Sequence, residues 1–307
     1  MIGLLLLLLG AYIILILVLG IACASAAGNP PRRATGWALA HGEPSSPADK
    51  DVPFEEWMLD RPDGARLCVW DIPGEDPEAP CLILLHGWSR SKLTWLVRLQ
   101  WWRARSRRIL ILDLRGHGDS TPDGATMGDI DAADVEALID RVAEECVVLV
   151  GRSLGSAIAI NAAARAASSL PGVVRGVIAV APYQHLSRSI AARLIQRQIP
   201  VTPVVSIAMA ILRMRGVHSK PTTIIAARIQ APLLVIHGSK DPISRIEDAH
   251  KIVAATSDGR LAEVSEAAHG DHWDLEGERL DGEVESFLKS VVKCPAESAV
   301  CLNPPAS

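Results

Sequence analysis

Basic blocks and clustered cysteines, which mark nucleic-acid binding and zinc or disulfide scaffolds, are both missing from this chain. Its 307 residues carry a formal net charge of −4, so no nucleic acid is expected as a partner. The six cysteines are scattered, with neither a C-x-x-C pair nor a paired Cys/His spacing, which disfavours a metal site and a disulfide framework. Only Cys294 and Cys301 share a short segment, a polar tail at 293–307 expected to be flexible, and a bond between them stays open.

Charged residues are also missing from Ile2 through Ala27, where Leu, Ile, Val, Ala and Gly dominate. The run exceeds the roughly 20 residues that span a bilayer and predicts a single membrane anchor over residues 1–27. A cleaved signal peptide is the alternative, because Ala24-Ser25-Ala26 resembles a cleavage site. The length of the run and the lack of Lys or Arg before it oppose that alternative. Arg32 and Arg33 follow the run, which favours a cytoplasmic side for the rest of the chain.

Short apolar runs alternate with helical patterns from residue 53 to residue 292, after a stretch at 28–52 that is rich in Pro, Gly, Ser and Ala and predicts a linker. The runs are typical of strands covered on both faces. Alternation of this kind predicts an α/β fold with a mostly parallel sheet and helices on both sides. The active site then lies at the carboxyl ends of the strands. We expect strands at 66–70, 81–85, 109–112, 147–150, 177–180, 233–236 and 261–264, and helical stripes at Val135, Leu138, Ile139 and Val142 and at Leu280, Val284, Phe287, Leu288 and Val291.

An insertion from His185 to about Arg228 interrupts this alternation. It contains helical patterns around 190–199 and 204–215, the second of which is apolar nearly all round. The insertion is either a small helical cap over the site or a pair of ordinary packing helices, because pockets and cores both need apolar surfaces.

A serine stands where the strand at 147–150 turns into a helix, in the segment Gly151-Arg152-Ser153-Leu154-Gly155. This is the pattern of a nucleophile elbow, in which the positions two before and two after the serine must be very small. The serine hydroxyl is then exposed at a helix N-terminus, where backbone N–H groups can stabilise an oxyanion. The pattern makes Ser153 the candidate nucleophile.

A serine needs a histidine base and a carboxylate that fixes the tautomer of the base. Asp241 follows the strand at 233–236, and His269 follows the strand at 261–264. The order Ser153, Asp241, His269 is the order required when nucleophile, acid and base occupy successive strand ends. His272 is a competing base and Asp271 a competing acid. His269 is preferred for its loop position, and Asp241 because Asp271 lies too close in sequence to approach the imidazole from the required side.

The oxyanion needs two backbone donors. One is the N–H of Leu154, directly after the nucleophile. The other is the N–H of Trp88, because His86-Gly87-Trp88 follows the strand at 81–85 and its glycine permits close approach of the backbone. The same loop could instead be a simple turn. Trp88 is also expected to face the site, while most of the cluster formed by Trp95, Trp101 and Trp102 is expected to be buried against the sheet.

These segments, with Asp113-Leu114-Arg115-Gly116-His117-Gly118-Asp119-Ser120 and His237-Gly238-Ser239-Lys240-Asp241, make the chain resemble an α/β-hydrolase of the serine hydrolase type. The resemblance spans nearly the whole chain after residue 52. It implies an eight-stranded, mainly parallel sheet, a Ser-Asp-His triad and no cofactor. It implies a reaction class and leaves the substrate open, since the fold serves esterases, lipases, thioesterases, peptidases, acyltransferases and perhydrolases.

The sequence therefore predicts a membrane-tethered serine hydrolase that cleaves a carboxylic ester or thioester through an acyl-enzyme. A tethered site under an apolar cap suits a small-molecule or lipid-like acyl ester as substrate. An acyltransferase, a perhydrolase or a peptidase would use the same residues. A noncatalytic membrane-anchored binding module is the alternative of another class, although such a module has no need for serine, acid and base together. The oligomeric state is left open.

Overall fold

Eight strands and ten α-helices make up the computed structural model of this chain, which describes residues 1–292. The strands are β1 (Glu55–Asp60), β2 (Arg66–Pro73), β3 (Cys81–Leu85), β4 (Arg108–Leu112), β5 (Val147–Arg152), β6 (Val174–Val180), β7 (Leu233–Gly238) and β8 (Gly259–Val264). The helices are α1 (Ile2–Gly28), α2 (Thr35–His41), α3 (Leu99–Arg103), α4 (Asp129–Val142), α5 (Leu154–Ser169), α6 (Leu186–Gln196), α7 (Val204–Met214), α8 (Thr222–Ala226), α9 (Ile246–Ala255) and α10 (His272–Val292).

The strands form one sheet in the order β1-β2-β4-β3-β5-β6-β7-β8. Strand β2 pairs antiparallel with both β1 and β4, and every other pair is parallel. The predicted eight-stranded, mostly parallel sheet is confirmed. Strand β1 was not among the seven predicted runs, because its sequence Glu-Glu-Trp-Met-Leu-Asp alternates at an exposed edge and has no unbroken apolar run.

Helices cover both faces of the sheet, and each face has its own apolar core. All residues of β3 are buried, as expected for a central strand covered on two sides. The two predicted helical stripes lie on α4 and α10. Val135, Leu138 and Ile139 are buried on α4, and Leu280 to Val291 supply the buried face of α10.

The insertion at 185–228 contains three helices rather than two. Helix α6 begins at Leu186, earlier than its apolar pattern indicates, and the short α8 adds a third element. Helix α7 matches the second predicted pattern and packs on α1. The apolar surface that runs nearly all round α7 in sequence is explained by this contact.

Helix α1 is long and apolar enough to span a membrane, and its C-terminal third is part of the folded domain. Its buried residues Ile16, Gly20, Ala24 and Gly28 recur every fourth position and form one stripe. A Cβ at Gly20 would lie 2.5 Å from Cγ2 of Ile207 on α7, so only glycine permits this approach. Small residues at this spacing are what close helix packing in a membrane requires.

The stretch from 28 to 52 makes specific contacts with the loop after β4, so it differs from the linker expected from its composition. It contains α2 and a 3-10 turn at Pro47–Lys50. The Arg32 guanidinium donates to the carbonyl oxygens of Gly118 and Ser120, and Thr35 donates to the Asp119 carboxylate. Composition alone gives no signal for these anchoring side chains. The predicted tail at 293–307, with Cys294 and Cys301, lies outside the described residues.

Candidate active site

Ser153 occupies a strained turn between β5 and α5, with φ 52° and ψ −110°. Its N–H donates to the carbonyl oxygen of Val180 on the neighbouring strand at 2.8 Å. A Cβ at Gly151 would lie 2.2 Å from the oxygen of Gly155, and one at Gly155 would lie 2.3 Å from the oxygen of Leu85. Both glycines of the motif are therefore required by backbone contacts, and the strain is concentrated on a residue with functional chemistry.

The three side chains from successive strand ends form one hydrogen-bonded chain. His269 Nδ1 lies 2.6 Å from Asp241 Oδ2, and His269 Nε2 lies 2.9 Å from Ser153 Oγ. An ionised carboxylate can only accept, so Nδ1 carries the proton and Nε2 is left to accept from the serine hydroxyl. The arrangement is the geometry that a general base and its orienting acid require.

Asp241 is held as a carboxylate by its loop. Burial raises the pKa of this carboxyl, but the hydrogen bond from His269 and those from the backbone N–H groups of Ser244 and Ile243 outweigh burial and keep the pKa below its usual value. The Ser244 hydroxyl also donates to Oδ2 at 3.0 Å. These donors fix the carboxylate and keep it ionised at neutral pH.

The competing residues occupy other positions. His272 is fully buried at the start of α10, and neither ring nitrogen has a hydrogen-bond partner among residues 1–292. Burial, with a contribution from Arg152, lowers the pKa of His272 to about 4. Asp271 accepts from the N–H of Ala268 at 2.7 Å and so fixes the loop that carries His269.

The loop after β3 lies against the nucleophile. A Cβ at Gly87 would lie 3.5 Å from the Cβ of Ser153, so the next residue, Trp88, follows at the edge of the site. The Trp88 indole N–H donates to the carbonyl oxygen of Ala27 at 2.9 Å, and the Arg193 guanidinium stacks over its ring at 4.9 Å. Trp88 thus contacts both α1 and α6. Leu154, the other expected oxyanion donor, begins α5 directly after Ser153.

The remaining tryptophans of the cluster have packing roles. Trp95 and Trp102 are buried under the sheet, and Trp101 is half-buried with the Arg105 guanidinium stacked over it at 4.1 Å. This arrangement agrees with the expectation that most of the cluster packs against the sheet.

Other histidines in the strand-end motifs are buried and bond to backbone. His86 accepts from the N–H of Leu114 at 3.1 Å, and its ring packs edge-on against His117. Burial lowers the pKa of His86 to about 4 and that of His117 to about 3. His237 lies 3.0 Å from the oxygen of Ser244 and so braces the Asp241 loop.

One cluster has the donor atoms of a cation site. The Cys68, Asp113 and Asp119 donor atoms lie within 4.8 Å of one another. The buried Lys92 ammonium already sits among them, 3.2 Å from the Cys68 sulfur, 3.0 Å from Asp113 and 2.5 Å from Asp119. Because the lysine supplies the positive charge, the cluster serves to join the 113–120 loop to the segment after β3.

Two cavities meet at Ser153. The first, of about 240 Å³ and named here the apolar chamber, is lined by one side of α1 and by α6, with Leu19, Ala26, Leu186, Ile190 and Leu194 among its walls. The second, of about 740 Å³ and named here the arginine chamber, is lined by Arg33, Arg90, Arg152, His269 and Trp273 among others. Trp88, Ser153 and Arg193 line both. Helix α6 therefore covers the site as a cap.

Sequence reasoning missed the part of α1 in the apolar chamber. Leu19, Ala22, Cys23, Ala26 and Ala27 all line it, although the sequence marks this helix only as an anchor. The signal that could have found the packing is the small-residue spacing of Gly20, Ala24 and Gly28, four residues apart.

Comparison with known proteins assigns the chain to a family. The sequence profile described as "Alpha/beta hydrolase family" matches residues 82–281, which hold the elbow, the strand ends and the loops described above. The chain therefore belongs to the alpha/beta hydrolase family of enzymes.

Solved structures share the fold at low identity. An esterase of Pyrococcus furiosus superposes with a TM-score of 0.68 at 19% identity, over 86% of this chain and 98% of its own. A bacterial membrane phospholipase A superposes with a TM-score of 0.61 at 18% identity, over 95% of this chain and 98% of its own. The second match extends over more of this chain than the first.

Curated relatives match over short segments. The dihydrolipoyllysine-residue acetyltransferase component of an acetoin cleaving system from Pseudomonas putida is 35% identical over 102 residues, 33% of this chain and 27% of the relative. The chain spans only about a quarter of the length of the first curated relatives that it matches.

Proposed function

We propose that this protein is a membrane-tethered serine hydrolase that cleaves the carboxylic ester of a lipid-like acyl substrate. The observation that carries the chemistry is the hydrogen-bonded chain from Ser153 through His269 to Asp241. Acyl transfer of this kind needs a serine, a base and an acid in one arrangement, whereas a module that only binds a ligand has no need for that arrangement.

In the proposed reaction, Ser153 Oγ attacks the ester carbonyl carbon while His269 Nε2 takes the hydroxyl proton. Backbone N–H groups of Leu154 and Trp88 stabilise the oxyanion. The bond from the carbonyl carbon to the leaving oxygen breaks, and His269 returns its proton to that oxygen. Water then attacks the acyl-serine ester, with His269 again as base, and the carboxylic acid is released as Ser153 regains its proton. Asp241 orients His269 and stabilises the imidazolium in both halves.

The dimensions of α1 support the proposed membrane attachment. The stretch from Ile2 to Leu19 is about 27 Å long at about 1.5 Å per residue, close to the hydrocarbon thickness of roughly 30 Å. Its large side chains up to Leu15 are exposed, as lipid-facing residues are. The following turns, from Gly20 to Gly28, pack on the cap and would lie at the membrane surface.

An uncleaved anchor is favoured over a signal peptide by these contacts. Cleavage after Ala26 would remove Leu19, Ala22 and Cys23 from the wall of the apolar chamber. It would also expose the face of α7 that α1 covers. Because the anchor is a wall of the chamber, an acyl chain that lies in the bilayer is a suitable occupant. The fold shared with a solved membrane phospholipase A over 95% of this chain supports a lipid ester.

Covalent labelling by a fluorophosphonate tests the hydrolase. We expect the full-length protein to be labelled and the Ser153→Ala variant to be unlabelled, because only an activated serine reacts. Ser168→Ala is the matched control, since Ser168 is exposed on the same helix, α5, and should leave labelling intact. Equal labelling of the wild type and Ser153→Ala, or no labelling of a folded wild type, would overturn the proposal.

A further inference from the structure

Four arginines that share a cavity with Ser153 have no ion-pair partner among the described residues. Arg33, Arg90, Arg152 and Arg193 line the arginine chamber, and none of them forms an ion pair with any residue between 1 and 292. Arg98 of the same chamber, by contrast, bonds to Asp281. The chamber beside the nucleophile therefore holds four guanidinium groups that form no ion pair with a carboxylate of residues 1–292.

The acids of the chamber do not neutralise this charge. Glu43 and Asp274 are lining residues, so two carboxylates face four guanidinium groups. Arg33 stacks over Trp37 at 4.9 Å and Arg193 over Trp88 at 4.9 Å, which holds both charges in place on aromatic surfaces.

The guanidinium groups are close enough to repel one another. Burial lowers the pKa of Arg90, and Arg33 lowers it further. Burial likewise lowers the pKa of Arg152, with Arg90 adding to the effect and Asp274 opposing it. For Arg193, burial is again the main cause of the lowered pKa, followed by Arg197, while Asp241 acts in the opposite direction and Arg90 adds to the lowering. A bound anion would relieve this repulsion, since each of these groups is stabilised by a negative charge nearby.

The two chambers suit the two parts of an ester, the acyl chain and the leaving group, which meet at the scissile bond. The apolar chamber, walled by α1 and α6, suits the acyl chain. The arginine chamber is lined by His269, which protonates the leaving oxygen in the proposed reaction, and the apolar chamber is not, so we place the leaving group in the arginine chamber. A guanidinium group can donate two parallel N–H hydrogen bonds to two oxygens of one phosphate, and these charge-assisted bonds are short.

On these grounds we infer that Arg90, Arg152 and Arg193 bind a phosphate group on the leaving part of the acyl ester. This inference rests on the proposed hydrolase function and specifies its substrate class: an acyl chain joined by an ester or thioester to a phosphorylated alcohol or thiol. Lipid head groups and phosphorylated acyl carriers share that chemistry.

Two substrates that differ only in the phosphate measure its contribution to kcat/KM. The purified full-length protein in neutral detergent is assayed with a 1-acylglycerol 3-phosphate and with the 1-acylglycerol of the same chain, which differ by one phosphate. We expect kcat/KM to be at least tenfold higher for the phosphate ester. The Arg90→Gln and Arg193→Gln variants should each lower this ratio by about tenfold, because a hydrogen bond to a charged group is lost.

Arg213→Gln is the charge-matched control. Arg213 is exposed at the end of α7 and lines neither chamber, so its loss should leave the ratio unchanged. If the control lowers the ratio as much as Arg90→Gln, general attraction of anions to the surface explains the preference and the inference fails. A wild-type ratio near one also overturns it.

A second pair of substrates identifies the source of the phosphate. Acyl-coenzyme A and the N-acetylcysteamine thioester of the same acyl chain share the thioester and differ in the phosphorylated carrier. A larger ratio for the glycerol pair indicates a lipid head group, and a larger ratio for the thioester pair indicates a carrier. Failure of the hydrolase itself is distinguishable, because Ser153-dependent cleavage would then be absent for the unphosphorylated substrates as well.

Discussion

At the scale of single residues, two glycines hold Ser153 in its turn, because backbone oxygens lie where a Cβ would have to be placed. Gly151 and Gly155 mark a turn that no larger residue permits, and Asp241 and His269 follow predicted strand ends. The Arg33 and Arg193 positions could not be predicted, because neither lies in a motif. They reach the site through the segment after the anchor and through the cap, and only the tertiary structure brings those two together.

The Asp241→Asn variant should lose activity through the wrong tautomer of His269. An amide in place of the carboxylate can donate to Nδ1, and the imidazole proton then moves to Nε2. A protonated Nε2 cannot accept the hydrogen bond of the Ser153 hydroxyl or take its proton. We expect kcat to fall by about 10⁴-fold with an ester substrate. The matched variant Asp271→Asn retains an oxygen that accepts from Ala268 and should stay within about tenfold of the wild type. A larger loss in Asp271→Asn than in Asp241→Asn would contradict this assignment and indicate that Asp271 is the acid.

Buried His272 should make stability depend on pH. Burial lowers its pKa to about 4 in the folded protein, whereas in the unfolded chain it is about 6.5. Between these values the unfolded state binds the proton and the folded state does not, so this residue lowers stability as pH falls from about 6.5 to about 4. Thermal unfolding from pH 7 to pH 4.5 should therefore show a smaller loss of Tm for His272→Gln than for the wild type. The exposed His250 provides the control variant His250→Gln, and parallel curves for all three proteins would contradict the assignment.

At the scale of helices and strands, unbroken apolar runs predict the buried parallel strands, because a strand covered on both faces needs apolar residues at every position. The edge strand β1 and the short helix α8 have no such run, so the sequence pattern does not predict them. Helix α1 is predicted as an anchor by its length and lack of charge. Its second role in the wall of the apolar chamber depends on α7, whose position is a tertiary property.

Valine in place of Gly20 should separate the anchor from the cap. Its Cβ would lie 2.5 Å from the Ile207 side chain, and overpacking of this kind costs about 1–3 kcal/mol. We expect a lower Tm in detergent and a lower rate with long-chain esters. Gly10→Val is the matched control on the same helix, because a Cβ there has no neighbour within 4 Å. Equal effects at both positions would mean that helix propensity, rather than packing on α7, explains the loss.

At the scale of the whole molecule, α1, the segment at 28–52 and the cap are attached to one another and to the domain that carries Ser153. The carbonyl oxygen of Gly28 accepts from the N–H of Ala125 at 2.8 Å, and Arg32 and Thr35 continue the attachment. With α1 in a membrane, as proposed, the apolar chamber would open beside the bilayer, and the proposed hydrolase would draw its acyl chain from lipid.

Protease accessibility tests the orientation of this assembly. Arg32 and Arg33 after the anchor favour the cytoplasmic side for the catalytic domain. We expect the domain to be protected from protease in intact cells and cleaved once the membrane is opened. The mass of the undigested protein should show that residues 1–28 are still present. Cleavage in intact cells would place the domain outside, and loss of the first 26 residues would establish a signal peptide instead.

The acyl-enzyme itself is the most direct test of the account. The full-length protein is mixed with an ester, quenched in acid within milliseconds, digested and measured by mass spectrometry. We predict the mass of the acyl group on the peptide that contains Ser153, absent from the Ser153→Ala variant. Hydrolysis of the ester that persists in Ser153→Ala, or an acyl group on another residue, would contradict the central claim.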